Sequence, residues 1–196
     1  MTTTAGRVPY GEGRKAIVRA AIGEVAERGL SRMTYRTLAA RAGVTHGSVQ
    51  HNFDSIEQVL EEALQLCLEL GVMPMQEAKT PAEFVDSVVD MVNADPAVHS
   101  FQFELILEAR RRPSFRPHVE RLYAAYWDAM KHALDSMRLD SSEEMVRALF
   151  AALEGLVFQM VTVAAEDSRG SHATTDGLRR VLASAPPAVP PAVPRT

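Results

Sequence analysis

Between positions 45 and 52 the chain crowds six side chains that both donate and accept hydrogen bonds: Thr45, His46, Ser48, Gln50, His51 and Asn52. So many polar groups on one short element serve no core. Hydroxyl, imidazole and carboxamide groups at helical spacing can bond phosphate oxygens and base edges. A carboxamide such as Gln50 can in addition make a bidentate contact with the edge of an adenine. The flanking residues supply a device to position these groups. Leu38, Ala39 and Ala42 give the preceding helix a compact apolar face, and Gly43 provides the residue without a Cβ that a sharp turn needs. Val44 and Val49 then close the angle between two short helices. Thr34 and Arg36, in the first helix of the pair, and Gly47 in the second complete the candidate DNA-contacting set.

The segment Thr34 to Glu57, TYRTLAARAGVTHGSVQHNFDSIE, resembles the DNA-binding domain of TetR-family transcriptional regulators. The resemblance is carried in register by Thr34, Leu38, Ala39, Ala42, Gly43, Val44, Thr45, Gly47, Ser48, Val49, Phe53, Ser55, Glu57 and Leu60. Upstream, RKAIVRAAIGEVAERGL repeats apolar residues at helical spacing and ends at Gly29, as the first helix of that family does. Three positions depart from the pattern. The family usually has tyrosines where this chain has Gln50 and Asn52, and a lysine where it has Ile56, so phosphate clamping is altered here.

Charge is divided unevenly along the chain. Up to Ser55, Arg7, Arg14, Lys15, Arg19, Arg28, Arg32, Arg36 and Arg41 face only Glu12, Glu24, Glu27 and Asp54, although the whole protein has a net charge of −4. A positive end on an acidic body suits a nucleic-acid reader attached to a regulatory domain. The reading segment itself holds no Lys or Arg, and its only residues able to turn positive are His46 and His51. Protonation of either beside a phosphate would tighten binding.

The 196 residues, 46% hydrophobic and poor in aromatics, suffice for an all-helical body. No membrane span is evident. MTTTAGRVPYGEGR lacks the apolar core of a secretory signal, so a cytoplasmic protein is expected. Cys67 stands among apolar neighbours and should pack as a small hydrophobe. Capping boxes are expected at Ser55 with Gln58, Thr80 with Glu83, and Ser141 with Glu144. Pro81 and Pro96 fall just inside helix starts. Helices are predicted near 55–71, 81–93, 96–112, 114–137, 142–165 and 174–184 after three in the first 53 residues, about nine in all, with no strand-like alternation. The resulting division is a helix-turn-helix domain over 1–54 with a flexible arm at 1–10, an effector-binding and dimerisation domain over 55–184, and a Pro-rich tail over 185–196 that should be extended or disordered. Arg110, Arg111 and Arg112 end a helix one turn from Glu108 and read as a solvated helix end.

SEEMVRALFAALEGLVFQMVTVAA, Ser142 to Ala165, is apolar nearly all round and must be covered on every side. Its candidate dimer face comprises Met145, Leu149, Leu153, Gly155, Leu156, Val157, Met160 and Val161, with Gly155 allowing close approach. The resemblance implies the same outcome, a homodimer in which the last two long helices pair with their copies. Two readers related by two-fold symmetry then require a palindromic operator. Met91, His99, Phe101, Gln102, Leu105, Tyr123, Trp127, Met130 and Gln159 suit an apolar effector pocket with few polar hooks. That a small molecule binds there and shifts the two readers is what the resemblance implies.

Asp128, His132 and Asp135 share one face of a predicted helix, but no second cluster completes a metal shell. Neither a Gly-rich phosphate loop, a Ser elbow nor a Cys–His arrangement is present, so no cofactor, metal or enzymatic activity is expected. The expected protein is an all-α regulator, a repressor released from double-stranded DNA by a small, largely apolar effector. The alternative is a helical small-molecule-binding or interaction protein whose DNA reader has decayed.

Overall fold

The computed structural model describes residues 12–163 and 168–188. The expected arm at 1–10 and most of the Pro-rich tail lie outside the described residues. Nine α-helices lie within them: α1 Glu12–Arg28, α2 Tyr35–Ala42, α3 His46–Asn52, α4 Ile56–Glu77, α5 Pro81–Ala94, α6 Pro96–Arg111, α7 Arg116–Ser136, α8 Glu143–Thr162 and α9 Ser168–Ala183. No strand occurs among the described residues, only an isolated bridge between Leu139 and Pro187. There the start of the Pro-rich segment is pinned by backbone bonds, from Asp140 N to Pro186 O at 2.8 Å and from Ala188 N to Arg138 O at 3.0 Å.

Local chemistry sets most boundaries. Gln58 N donates to Ser55 Oγ at 3.1 Å while Gln58 Oε1 accepts from Asp54 N at 2.9 Å, and Glu83 repeats the pattern with Thr80 and Lys79. The third expected cap sits one residue later. Ser142, not Ser141, accepts the Met145 N–H, because the Ser141 hydroxyl is drawn to the Asp135 carboxylate. Helix α4 outruns its expected end at 71 and continues through Gly71 and Pro74 to Glu77. Burial of Met75 and Ala78 outweighs the helix-breaking tendency of that stretch. Helix α9 begins six residues before the expected start, as propagation from an established helix carries through weakly helical sequence.

The chain forms two compact units, one comprising residues up to Cys67 together with Ser100–Val119, the other Leu68–His99 and Glu120 onward. The boundary expected at 54 therefore falls inside the first unit. Arg14 of α1 explains why: its Nε donates to Glu62 Oε2 of α4 at 2.9 Å, and its guanidinium lies 4.2 Å from the centre of the Phe53 ring. These contacts bind the start of α4 to the reader. In this unit α1 packs against α2 and α3 over Ile17, Ala21, Val25, Leu38 and Val49, all buried.

A charged contact fixes α1 against α2. Glu24 is only 2% exposed, and its carboxylate is flanked by Arg28 at 3.3 Å and Arg41 at 3.7 Å. Arg41 also donates to Glu27 Oε2 at 2.7 Å. Its guanidinium lies directly over α1 at Gly23, where an added Cβ would come within 2.4 Å of a guanidinium nitrogen. A buried carboxylate is tolerable because two cations share it.

In the second unit α8 and α9 pack together and each also meets α5, with Arg179 of α9 donating from Nε to Asp86 of α5 at 3.0 Å. Helix α8 is long and apolar enough to cross a membrane by length and composition, yet Val146, Leu149, Phe150, Leu153, Leu156 and Val157 are buried in its own unit. Burial divides the residues of the expected dimer face. Leu149, Leu153, Leu156 and Val157 belong to the chain's own core, Met145, Met160 and Val161 are half-buried, and Gly155 alone of that set is exposed. The face left open is Ala148, Ala151, Ala152, Gly155 and Gln159, with Phe158 at its edge. Its residues are small because apolar mass on α8 is concentrated on the side that meets the core.

Gly43 adopts φ 67° and ψ 28° at the end of α2, a left-handed turn that costs an L side chain about 1–2 kcal/mol. Gly43→Ala should lower unfolding stability by about that amount in urea, since nothing within 4 Å obstructs the added methyl. Arg41→Met should cost about 1–3 kcal/mol by leaving Glu24 with one cation. Denaturation midpoints in urea would check both.

Candidate nucleic-acid interface

The reading helix is short, so its geometry depends on its ends. Thr45 caps α3 by accepting the Ser48 N–H at 3.1 Å. Thr34 caps α2 reciprocally with Thr37: Thr37 N donates to Thr34 Oγ1 at 3.1 Å, and Thr34 N donates to Thr37 Oγ1 at 3.0 Å. Both threonines are exposed, so each hydroxyl lies at the surface while it holds a helix start. At the other end of α3 the guanidinium of Arg14 donates to the Asn52 carbonyl, and Phe53 is buried.

The expected contacts divide into free and committed groups. Gln50 and His51 are exposed, as are Arg36, His46 and Gly47. Asn52 is half-buried, and its Nδ2 donates back to Ser48 O at 2.7 Å, within its own helix. Its amide N–H therefore serves as a closing contact of α3. The Ser48 and Thr45 hydroxyls bond each other at 3.0 Å. Sequence reasoning overlooked Tyr35, whose ring meets His46 edge-on at 6.0 Å and sets the imidazole's orientation. The pair is eleven positions apart on different helices, so no local pattern announces it.

The positive charge of the first 55 residues is also partly spent internally. Arg14, Arg28 and Arg41 pair with Glu62, Glu24 and Glu27. Arg7 lies outside the described residues. Lys15, Arg32 and Arg36 are exposed and make no ion pair among the described residues. An open, polar depression of about 540 Å³ lies at the start of α2, lined by Glu24, Arg28, Ser31, Arg32, Thr34 and Thr37. None of the expected effector residues borders it.

The expected effector residues are divided between the two units. Phe101, Gln102 and Leu105 are buried and belong to the first unit, whereas Met91, His99, Tyr123, Trp127, Met130 and Gln159 belong to the second. Gln159 is exposed on the open face of α8. His99 is buried, its Nε2 has no hydrogen-bond partner among the described residues, and burial lowers its pKa to about 4 despite the charge of Asp95. It is a neutral imidazole near pH 7. Tyr123 and Trp127 of α7 stack with ring centres 5.5 Å apart, and Tyr123 meets Phe150 of α8 edge-on at 6.0 Å. The Tyr123 hydroxyl donates to Glu154 Oε1 at 3.0 Å. Burial and the adjacent Glu154 charge push the phenol up to about 12. Phe150 also stacks on Tyr126, whose hydroxyl lies 2.3 Å from where a Cβ on Gly71 would stand. Gly71 is the place at which α4 admits that ring.

At the end of α6, Arg112 Nε and Arg111 Nη1 lie 2.8 and 3.1 Å from Glu108, as expected of a helix end. Asp135 accepts from Lys131 at 2.9 Å and from Ser141, which holds its carboxyl below the usual range.

Residues 17–63 match the profile of bacterial regulatory proteins of the tetR family, and residues 79–184 match that of tetracyclin repressor-like C-terminal domains. A TetR-family member from Streptomyces coelicolor A3 is 25% identical with a TM-score of 0.67, covering 87% of this chain and 98% of that one. The multidrug binding protein EbrR, complexed with imidazole, is 25% identical with a TM-score of 0.59, covering 86% and 94%. A transcriptional regulator from Saccharomonospora viridis in complex with choline shares the fold at 19% identity and a TM-score of 0.63, covering 88% and 94%. No curated protein matches the chain. Helix-turn-helix geometry, all-helical body and both profiles agree: the chain belongs to the TetR family of transcriptional regulators.

Proposed function

We propose that this regulator acts as a homodimeric repressor that binds a palindromic operator and is released by a small, largely apolar effector. The observation that carries the DNA reading is the state of α3. Its caps are closed, its far end is held by Arg14, and Gln50 and His51 stand exposed beside the exposed His46. A decayed reader would have no reason to keep that arrangement. Gln50, in the place where the family usually has a tyrosine, reads base edges; Arg36, Arg32 and Lys15 supply phosphate contacts that α3 lacks.

Dimerisation is supported by the open face of α8. Ala148, Ala151, Ala152 and Gly155 form a strip of small residues beside α9, which exposes Val181. Two such faces can approach closely across a two-fold axis. An effector is supported by the aromatic cluster of α7 and α8 and by relatives solved with imidazole and choline. It would act by binding two arrangements of the dimer with different affinity.

Selection of bound sequences from a random duplex pool tests the reading directly. A palindrome with half-sites about one helical turn, or a multiple of it, apart is the expected result. Salt-sensitive binding without sequence enrichment would favour a ligand-binding protein with a decayed reader. On the selected operator, Gln50→Ala should cost about 1–3 kcal/mol and relax preference at one position in each half-site. Arg36→Ala should instead weaken all sequences alike and reduce the salt slope by about one per protomer. Uniform weakening by Gln50→Ala would make it a positioning contact. Ala152→Glu should raise the dimer dissociation constant on the order of a hundredfold in sedimentation, with helicity unchanged.

A further inference from the structure

The two most buried carboxylates among the described residues, Glu24 and Glu108, are each flanked by two arginines. Glu154 is treated differently. It is half-buried on α8, and among the described residues its carboxylate accepts one side-chain hydrogen bond, from Tyr123, and pairs with no cation. Withdrawal from water without a counter-charge raises its pKa, an effect the Tyr123 bond opposes. Sheltering a carboxylate in this way is unfavourable unless a positive group arrives.

The surroundings suit such a group. Tyr123, which bonds the carboxylate, stacks on Trp127 and meets Phe150 edge-on, and Phe158, one turn further along α8, is 47% exposed. A cation is already held against this aromatic set from within the chain. Arg147 lies with its guanidinium carbon 3.9 Å from the centre of the Trp127 ring, steered by Glu143, which accepts its Nε at 2.8 Å. Aromatic faces attract cations through their quadrupole, most strongly where water is partly excluded. Carboxylate and rings together make complementary halves of one recognition surface.

We infer that the seam of α7 and α8 around Glu154, Tyr123, Trp127 and Phe150 is a binding site for a small organic cation, a quaternary ammonium or protonated amine carried on an apolar or aromatic body. The inference rests on the effector reading proposed above and adds the charge of the ligand to it. The cation sits beside Tyr123, whose hydroxyl bonds Glu154, with its charge on that carboxylate. Arg147 occupies the adjoining Trp127 face and repels a second positive charge, so it limits affinity.

Trp127 is the only tryptophan of the chain, so its emission reports on the site. The full-length protein would be titrated with benzyltrimethylammonium and with neutral tert-butylbenzene of similar size. Saturable quenching by the cation, at least about tenfold tighter than by the neutral compound, is expected. Glu154→Gln should abolish that preference while leaving binding of the neutral compound within about twofold, and Arg147→Gln should tighten the cation several-fold. Equal affinity for both compounds, a cation affinity unchanged by Glu154→Gln, or no response at Trp127 would each overturn the site. If Glu154→Gln does not fold, as judged by circular dichroism, Arg147→Gln decides: failure to tighten the cation overturns it. Parallel measurement of DNA affinity separates the two readings. Glu154-dependent cation binding that leaves DNA affinity unchanged would sink the effector role and keep the site. Release by a neutral apolar compound, independent of Glu154, would do the reverse.

Discussion

The reader's geometry hangs on a carboxylate hidden between two helices. Glu24 is withdrawn from water on α1, and the cation that chiefly crosses to it, Arg41, comes from the last turn of α2. The Arg41 guanidinium occupies the space that a side chain at residue 23 would take. An unpaired buried charge is costly, so the contact penalises any motion of α2 away from α1 and gives the helix pair one stable approach. From that fixed α2, the left-handed Gly43 turns the chain into α3, and Arg14 holds the far end of α3 through the Asn52 carbonyl and the Phe53 ring. A seven-residue helix has little stability of its own, so these external ties are what make it a rigid reading element.

The same electrostatic rule divides the arginines of the reader by role. Those that fix helices to one another are unavailable for phosphates, whatever their count in the sequence. Exposed Arg32 lines the polar depression at the start of α2, where the helix end also favours negative charge. The reading helix contributes hydrogen-bonding groups and no formal positive charge at neutral imidazole. Attraction to the duplex and discrimination among bases thus fall to different elements of one small unit.

In the second unit, α8 answers two demands at once. Its core side carries leucine, valine and phenylalanine, while its open side is alanine and glycine. A helix with this division is apolar by composition over its whole circumference, yet only one side has the bulk to fill a core. The aromatic residues of α7 meet its flank, where Glu154 places a charge that no arginine among the described residues neutralises. The two most buried carboxylates among the described residues, Glu24 and Glu108, are by contrast each flanked by two arginines.

Helix number, the glycine turn, the capped starts at Ser55 and Thr80 and the reader's family were all legible in the sequence, because each depends on residues within four positions of one another. The capping box expected at Ser141 with Glu144 misled for a local reason, since two serines stand side by side and only the competing Asp135 decides which one caps. The extension of α4 through Gly71 and Pro74 was decided by burial of Met75 and the approach of Tyr126, contacts made by residues far away in the chain. Which side of α8 is core and which is open could not be read from a helix apolar all round, since its pattern carries no phase. Likewise, the sequence did not show that the Asn52 amide closes on Ser48, and Tyr123, Trp127 and Glu154 became one cluster only when α7 met α8. The sequence by itself determined the elements and the turn that joins the reading pair, through short-range hydrogen bonding and backbone preference. Tertiary structure alone decided which polar groups remain free, because that depends on which charges and rings the packed helices bring within a few ångströms of one another.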